Sequence, residues 1–492
     1  MQPLLFKLPN GLRVILIDTK AFPTMTTILL FATGSRYESE SNSGIAHFLE
    51  HMVFKGSKKY PDFFTVSSVL ESLGATHNAF TSKDHTGFWV KSPTVHFEKV
   101  IDVMSDIIIQ PLLPAGEIER EKGVIVAEMD MYEDNPMRRV GEYFEQLLYP
   151  RSTLGMDVIG RKETVTKFQR QDFVEYMRQF YQPKNAVLVV AGGLNLRSQE
   201  NLLESELASR RTSRPVTPHL SSEYEGSLRP SLAQTSTSRA NFLSNLANNN
   251  YLKIIKKEFT KFKTINRQDS GTILVKVLEK QNKPEMLIHY KKTEQTHLSL
   301  GFRTFSFKDR RRYALAVLGT MLGGGSSSRL FIEVRERRGL CYYIYTGREH
   351  YHDVGYIVTQ AGVANNLETV KKAIDTILEE HKKIIRGQIK ADELTRAKEI
   401  IKGRMMLSLE DSANVASWYG TKQILEGSIE TVDQVIGKIE KVRQEEVVEL
   451  AKEIFRPERL NLALIGPYDK INLKFEILIE FENLNFITLK ID

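Results

Sequence analysis

The feature that most constrains this fold is an imperfect internal repeat. Glu117-Ile118-Glu119-Arg120-Glu121-Lys122-Gly123-Val124-Ile125 returns as Glu393-Leu394-Thr395-Arg396-Ala397-Lys398-Glu399-Ile400-Ile401. Each copy runs on through a Met-containing helical turn to a Glu-Asp pair, Glu133-Asp134 and Glu410-Asp411. Each then reaches an apolar run closed by glycine, Val187–Val190 before Gly192 and Leu460–Leu464 before Gly466. The stretch from Gly339-Leu340-Cys341 to Gly355-Tyr356-Ile357-Val358 likewise matches the strand pair that follows Gly74. A chain that repeats its signals in one order folds as two copies of one unit. Its 492 residues also exceed a single ordinary core.

Within the units, short β-branched runs alternate with helical periodicity. Residues 12–18 and 25–33 read as strands, with Asn10-Gly11 as the turn before the first. His77–Thr81 and Thr86–Lys91 form a hairpin-like pair, and 185–191 is a buried strand. Helices are expected at 65–73, at 97–109, in a long segment after Pro114, and near 139–148 and 170–181. The fold class is therefore α+β: two homologous domains, each a mainly antiparallel sheet with helices packed on one face. The expected division is 1–270, 285–470 and a tail at 471–492 to which no role is assigned. Between 195 and 250, Ser, Asn, Arg, Thr and Glu dominate, the composition of a flexible insertion. Order resumes with the apolar stripe Leu252, Ile255, Phe259 and Phe262.

The chemistry concentrates in His47-Phe48-Leu49-Glu50-His51. On a helix His47 and His51 share a face, with Glu50 beside them. Two imidazoles at that spacing can hold zinc, and the intervening carboxylate can accept a proton from a zinc-activated water. Ile45, Ala46, Phe48, Leu49, Met52 and Val53 surround the polar triplet, so burial without a purpose would be costly. Catalytic zinc takes a third protein ligand. Glu121 and Glu128, two helical turns apart, offer a carboxylate face for it; either one alone reads as an ordinary surface charge. In the second unit Ala397 and Arg404 occupy their places, and Gly323–Arg329 stands roughly where the histidine motif would be. The metal site is thus expected in one copy only, with the second copy supporting it and holding substrate.

Together these motifs resemble the pitrilysin/insulinase family of zinc metallopeptidases, close to its mitochondrial-processing-peptidase and bacterial branch. The resemblance spans about residues 4–194 and 251–470. It rests on Gly44–Gly56, Asn78–Ser82, Glu121–Glu128, Gly323–Leu330 and Arg335–Tyr342. It implies one zinc ion per chain, held by His47, His51 and Glu128, with Glu50 as general base and Glu121 as an accessory acid. It implies that Asn78, Ala79 and Phe80 pair with the peptide backbone by strand addition. It also implies that Arg335 and Tyr342 reach the active site from the second domain to hold the substrate carbonyl. The function so implied is a zinc endopeptidase cutting peptides or unfolded segments inside a dimeric chamber. The partner is a second copy or an inactive homologue; the alternative is a silent structural subunit.

Other classes fit poorly. No apolar run is long enough to span a membrane. The net charge of +7 is spread among nearly as many acids as bases, so a nucleic-acid role is not expected. A single cysteine, Cys341, excludes an internal disulfide and fits a reducing compartment. With no signal peptide or presequence at the N-terminus, a cytoplasmic location is expected.

Overall fold

The computed structural model describes residues 2–196, 249–263, 276–277 and 280–468, together with the backbone of 487–488. The insertion expected at 195–250 and the tail after 470 fall almost wholly outside the described residues.

The strands form two six-stranded sheets. The first contains β1 (Leu4–Lys7), β2 (Arg13–Asp18), β3 (Thr24–Phe31), β4 (Thr76–Thr81), β5 (Thr86–Pro93) and β6 (Ala186–Gly192), in the order β1-β2-β6-β3-β5-β4. The second contains β7 (Glu285–Tyr290), β8 (Gln295–Phe305), β9 (Cys341–His350), β10 (Val354–Ala364), β11 (Leu460–Gly466) and β12 (Ile487–Thr488), in the order β12-β7-β11-β8-β10-β9. From β2 and β7 onward the two sheets match strand for strand and in the sense of each pairing. β2 runs parallel to β6 as β7 does to β11, and the following neighbours are antiparallel. The outermost strand differs: β1 is antiparallel to β2, whereas β12 comes from the end of the chain and is parallel to β7.

The helices repeat in the same order. Ile45–Val53, Phe97–Ile109, Ala115–Glu133, Pro136–Leu148 and Arg170–Phe180 correspond to Arg312–Gly323, Leu367–Ile385, Ala391–Ser408, Ser412–Thr421 and Gln444–Ile454. The counterpart of the histidine-bearing helix is thus Arg312–Gly323, and the glycine run expected in its place follows that helix. From Ala314 to Gly323 this helix is entirely buried, so the polar triplet has given way to core.

Strand alternation assigns each sheet two apolar faces. Val14, Leu16, Leu29, Phe31, Leu188 and Val190 meet the helices of their own half, including the helix Asn250–Phe259. Ile15, Ile17, Ile28, Leu30, Val187 and Val189 point the other way. That second face is covered by the helix Ser412–Thr421 of the other half, through Val415, Ala416 and Tyr419. The exchange is reciprocal. Val140, Phe144 and Leu147 of Pro136–Leu148 cover Leu287, Val358, Ala463 and Ile465 on the outer face of the second sheet. Helices therefore lie on both faces of each sheet, those of its own half on one and chiefly one borrowed helix on the other. Close approach is needed here: a Cβ on Gly420 would stand 2.5 Å from Leu30 Cδ1.

A polar seam joins the halves as well. The buried Arg36 guanidinium reaches Asp353 at 2.6 Å and Asp84 at 3.4 Å. Glu145 accepts from Tyr351 at 2.5 Å and Tyr356 at 2.9 Å, and pairs with Lys83 at 3.2 Å. Breaking one partner of such a pair would strand a buried charge, so the seam fixes how the halves meet.

Phe144, 1% exposed, lies wholly within the shared core. Phe144→Ala is expected to cost about 3–5 kcal/mol, read as a lower denaturant midpoint for the whole chain.

Candidate metal centre

The helix Ile45–Val53 starts at Gly44, whose φ of 95° and crowding require glycine. A Cβ there would lie 2.7 Å from the Ile159 carbonyl oxygen. No side chain caps the helix from Gly44 itself; the buried Glu38 carboxylate does so from a distance. It accepts from the Gly44 N–H at 2.7 Å and the Ala46 N–H at 2.9 Å. A carboxylate at a helix N-terminus satisfies otherwise orphaned donors. The six apolar residues of this helix are buried, which leaves His47, Glu50 and His51 along the opposite stripe.

That stripe faces the helix Ala115–Glu133. Glu128 Oε2 lies 3.8 Å from His47 Nε2 and 3.7 Å from His51 Nε2. Donor atoms of the three residues all fall within 4.8 Å of one another. Tetrahedral zinc with bonds near 2.0–2.1 Å separates its ligand atoms by about 3.3–3.4 Å, so the cluster fits zinc with a small closure. The donor chemistry fits too, with two imidazoles and one carboxylate and a fourth direction open.

Surrounding charges set the protonation each role needs. Burial, reinforced by His51, pulls the His47 pKa down to about 4, so its nitrogens are free to ligate near neutrality. Burial also lowers His51, but its hydrogen bond to Glu121 and the charges of Glu121, Glu128 and Glu50 outweigh this, and its pKa is raised. His51 Nδ1 lies 2.9 Å from Glu121 Oε1, and Lys55 Nζ lies 2.6 Å from Glu121 Oε2. Burial favours the neutral form of Glu121, yet His51 and Lys55 together hold its carboxyl below the usual range. Glu121 thus anchors the ring of His51 through the nitrogen that faces away from Glu128. His47 Nδ1, by contrast, is buried with no hydrogen-bond partner among the described residues. Glu50 does not join the ligand cluster. Its Oε2 accepts from Thr81 Oγ1 at 2.7 Å, and burial raises its pKa.

Thr81 ends β4, the outer edge of the first sheet. Asn78, Ala79 and Phe80 lie on this strand, opposite Trp89, Phe88 and Gly87 of β5. Asn78 and Ala79, with Glu50, His51, Phe63 and Glu121, line a cleft of about 290 Å³. The Ala79 N–H is held by the Asn78 side chain at 2.8 Å, so an added strand would compete with that bond.

Arg335 and Tyr342 are not brought into this cluster. The Arg335 guanidinium lies 4.7 Å from the Phe331 ring centre and 6.0 Å from that of Tyr342, itself 74% exposed. Among the described residues, no hydrogen bond or ion pair joins either to His47, Glu50, His51 or Glu128.

One residue escaped the sequence analysis. Tyr132 donates to Glu128 Oε1, the oxygen turned away from the histidines. Arg138 stacks on its ring, with the guanidinium carbon 3.2 Å from the ring centre. The usable signal was spacing, since Tyr132 follows Glu128 by one helical turn. Partners that orient ligands tune metal affinity by about 10–100-fold. Tyr132→Phe is expected to weaken zinc binding by about tenfold in a chelator competition, with the far-UV circular dichroism unchanged.

This chain is similar to known proteins over most of its length. Residues 13–162 match the family described as insulinase (peptidase family M16). Residues 167–232 and 242–401 match the peptidase M16 inactive domain, which runs across much of the expected insertion. An uncharacterised zinc protease of Bacillus subtilis strain 168, YmxG, is 30% identical over 93% of this chain and 97% of its own. Another, SCO5738 of Streptomyces coelicolor, is 27% identical over 94% and 88%. Among solved structures, a protease from Helicobacter pylori superposes with a TM-score of 0.78 at 20% identity, covering 95% of this chain and 99% of its own. The peptidase M16 inactive domain from Pseudomonas fluorescens gives 0.74 at 16% identity, covering 95% and 99%. These two show the shared fold. The extent of the sequence match shows that this chain belongs to the insulinase family of peptidases, M16.

Proposed function

We propose that this chain is a zinc-dependent endopeptidase acting on peptides or unfolded segments. The observation that carries the reading is the convergence of His47, His51 and Glu128 beside a carboxylate, Glu50, that is not part of the cluster. When bound, one zinc ion per chain supplies Lewis acidity, making a water molecule nucleophilic near neutral pH and polarising the scissile carbonyl. Glu50 accepts the proton of that water and returns it to the leaving amine; its raised pKa suits both halves of the task. Glu121 keeps the His51 ring oriented, and Tyr132 does the same for Glu128. The peptide lies along β4, where Asn78, Ala79 and Phe80 offer an unpaired strand edge.

Arg335 and Tyr342 belong to this reading through a second subunit. Within one chain they stay apart from the histidines, so a partner's second half would supply them and close a chamber over the site. The partner is another copy or an inactive homologue. A partner-dependent subunit without activity of its own is the second reading, and the match of the second half to an inactive domain is compatible with both. Among the described residues no helix is long and apolar enough to cross a membrane.

Glu50→Gln is expected to lower cleavage of a quenched-fluorescent peptide by about 10²–10⁴-fold while zinc content is kept, and a chelator should stop the wild type. Mixing that chain with an Arg335→Ala chain should restore activity above either alone; no recovery would argue against a shared site. The pH profile offers an independent check. The Thr81 hydroxyl favours ionised Glu50, so Thr81→Val raises the Glu50 pKa further. A base works only when ionised, and the acid limb of the rate profile should therefore move to higher pH.

A further inference from the structure

The second half keeps a cleft where the first half has its metal centre, but with the charge inverted. Within the corresponding helices, Gly319 and Thr320 stand in the places of Glu50 and His51, and Arg404 in that of Glu128. Strand register supports the match: Arg348 stands on the edge strand β9 where Thr81, the partner of Glu50, stands on the edge strand β4. A Cβ on Gly319 would lie 3.9 Å from Thr346 Cγ2, two residues from Arg348 on the same strand. Thr320, Arg348 and Arg404 line a cleft of about 650 Å³, with Ile400, Ile401 and Trp418 supplying apolar wall.

Both arginines are open to this cleft, and neither has a hydrogen bond or ion pair among the described residues. Arg348 shares a face of β9 with Thr346, and the protein around it pulls its pKa down, though a guanidinium stays charged at any working pH. The one carboxylate in the lining, Glu426, is engaged by Arg312 at 3.0 Å and Lys422 at 3.2 Å. Glu349, next to Arg348 in the strand, acts on it only through its charge, and two cations with no bonded acid beside an apolar wall suit an anion carried on an apolar chain. Guanidinium–carboxylate bonds are among the stronger polar contacts.

We propose that this cleft binds a carboxylate of a peptide, held by Arg348 and Arg404, with a neighbouring apolar side chain on Ile400, Ile401 and Trp418. The choice of a peptide rests on the peptidase reading above. The carboxylate can be a C-terminus or an acidic side chain.

The test uses full-length Glu50→Gln protein and short fluorescent peptides of one apolar sequence, measured by anisotropy. One has a free C-terminus and no acid, one an amidated C-terminus and a central Glu, and one is amidated without acid. At least one carboxylate peptide should bind about tenfold tighter than the neutral one, and which one does identifies the source. The Arg348→Gln/Arg404→Gln double variant should erase that preference, with circular dichroism confirming its fold. Absence of any preference in the parent, or a preference surviving in the double variant, overturns the proposal. Binding is read without cleavage. Failure of the peptidase reading would appear separately, as no zinc-dependent cutting of the neutral peptide by the wild type.

Discussion

The structure depends on the reciprocal burial of two apolar sheet faces. Each six-stranded sheet is covered on one side by its own helices and would expose Ile, Leu and Val on the other. One helix from each half crosses over to cover that second face, Ser412–Thr421 in one direction and Pro136–Leu148 in the other. An exposed face of this size would invite aggregation, so neither half is expected to be complete alone. The exchanged helix Pro136–Leu148 also follows the glutamate-bearing helix directly, separated only by Asp134 and Asn135. Packing between the halves and placement of Glu128 are thus mechanically connected through Tyr132 and Arg138.

The candidate metal centre solves a charge problem set by burial. Two histidines and three glutamates lie close together on two packed helices, which without compensation would be unfavourable. The compensation is divided by residue. Glu121 is neutralised by Lys55 and His51, Glu128 is bonded by Tyr132, and Glu50 by Thr81. Each carboxylate therefore sits in a different environment, as the different parts of ligand, orienting partner and base in the proposed function require of chemically identical groups. In the second half the same positions hold Gly319, Thr320, Ala397 and Arg404, and this cluster of acids and imidazoles is gone. The helix Arg312–Gly323 is buried from Ala314 to Gly323 and serves as core.

Much of this was legible in the chain. The helix Ile45–Val53 and its polar stripe follow from the spacing of His47, Glu50 and His51 among apolar neighbours. The long helix after Pro114, the strand at Ala186–Gly192 and the stripe Leu252, Ile255, Phe259 and Phe262 lie close to where periodicity puts them. The repeat announced two related sheets, although it misplaced the glycine run relative to the buried helix Arg312–Gly323. Periodicity there is weak, because a fully buried helix is apolar all round and carries no amphipathic stripe.

Sequence by itself determined the local elements, their repetition and the residue types able to ligate zinc, because these depend on neighbours within a few turns of helix or strand. Tertiary structure alone decided which half covers which sheet face, that Tyr132 takes the second oxygen of Glu128, and that Arg335 stays away from its own chain's histidines. It alone brought Arg348 and Arg404, 56 positions apart in the numbering (404 − 348), to one cleft. The physical reason is that periodicity says which face of an element is apolar or charged, but not what meets it. That partner is chosen by packing among all the faces at once.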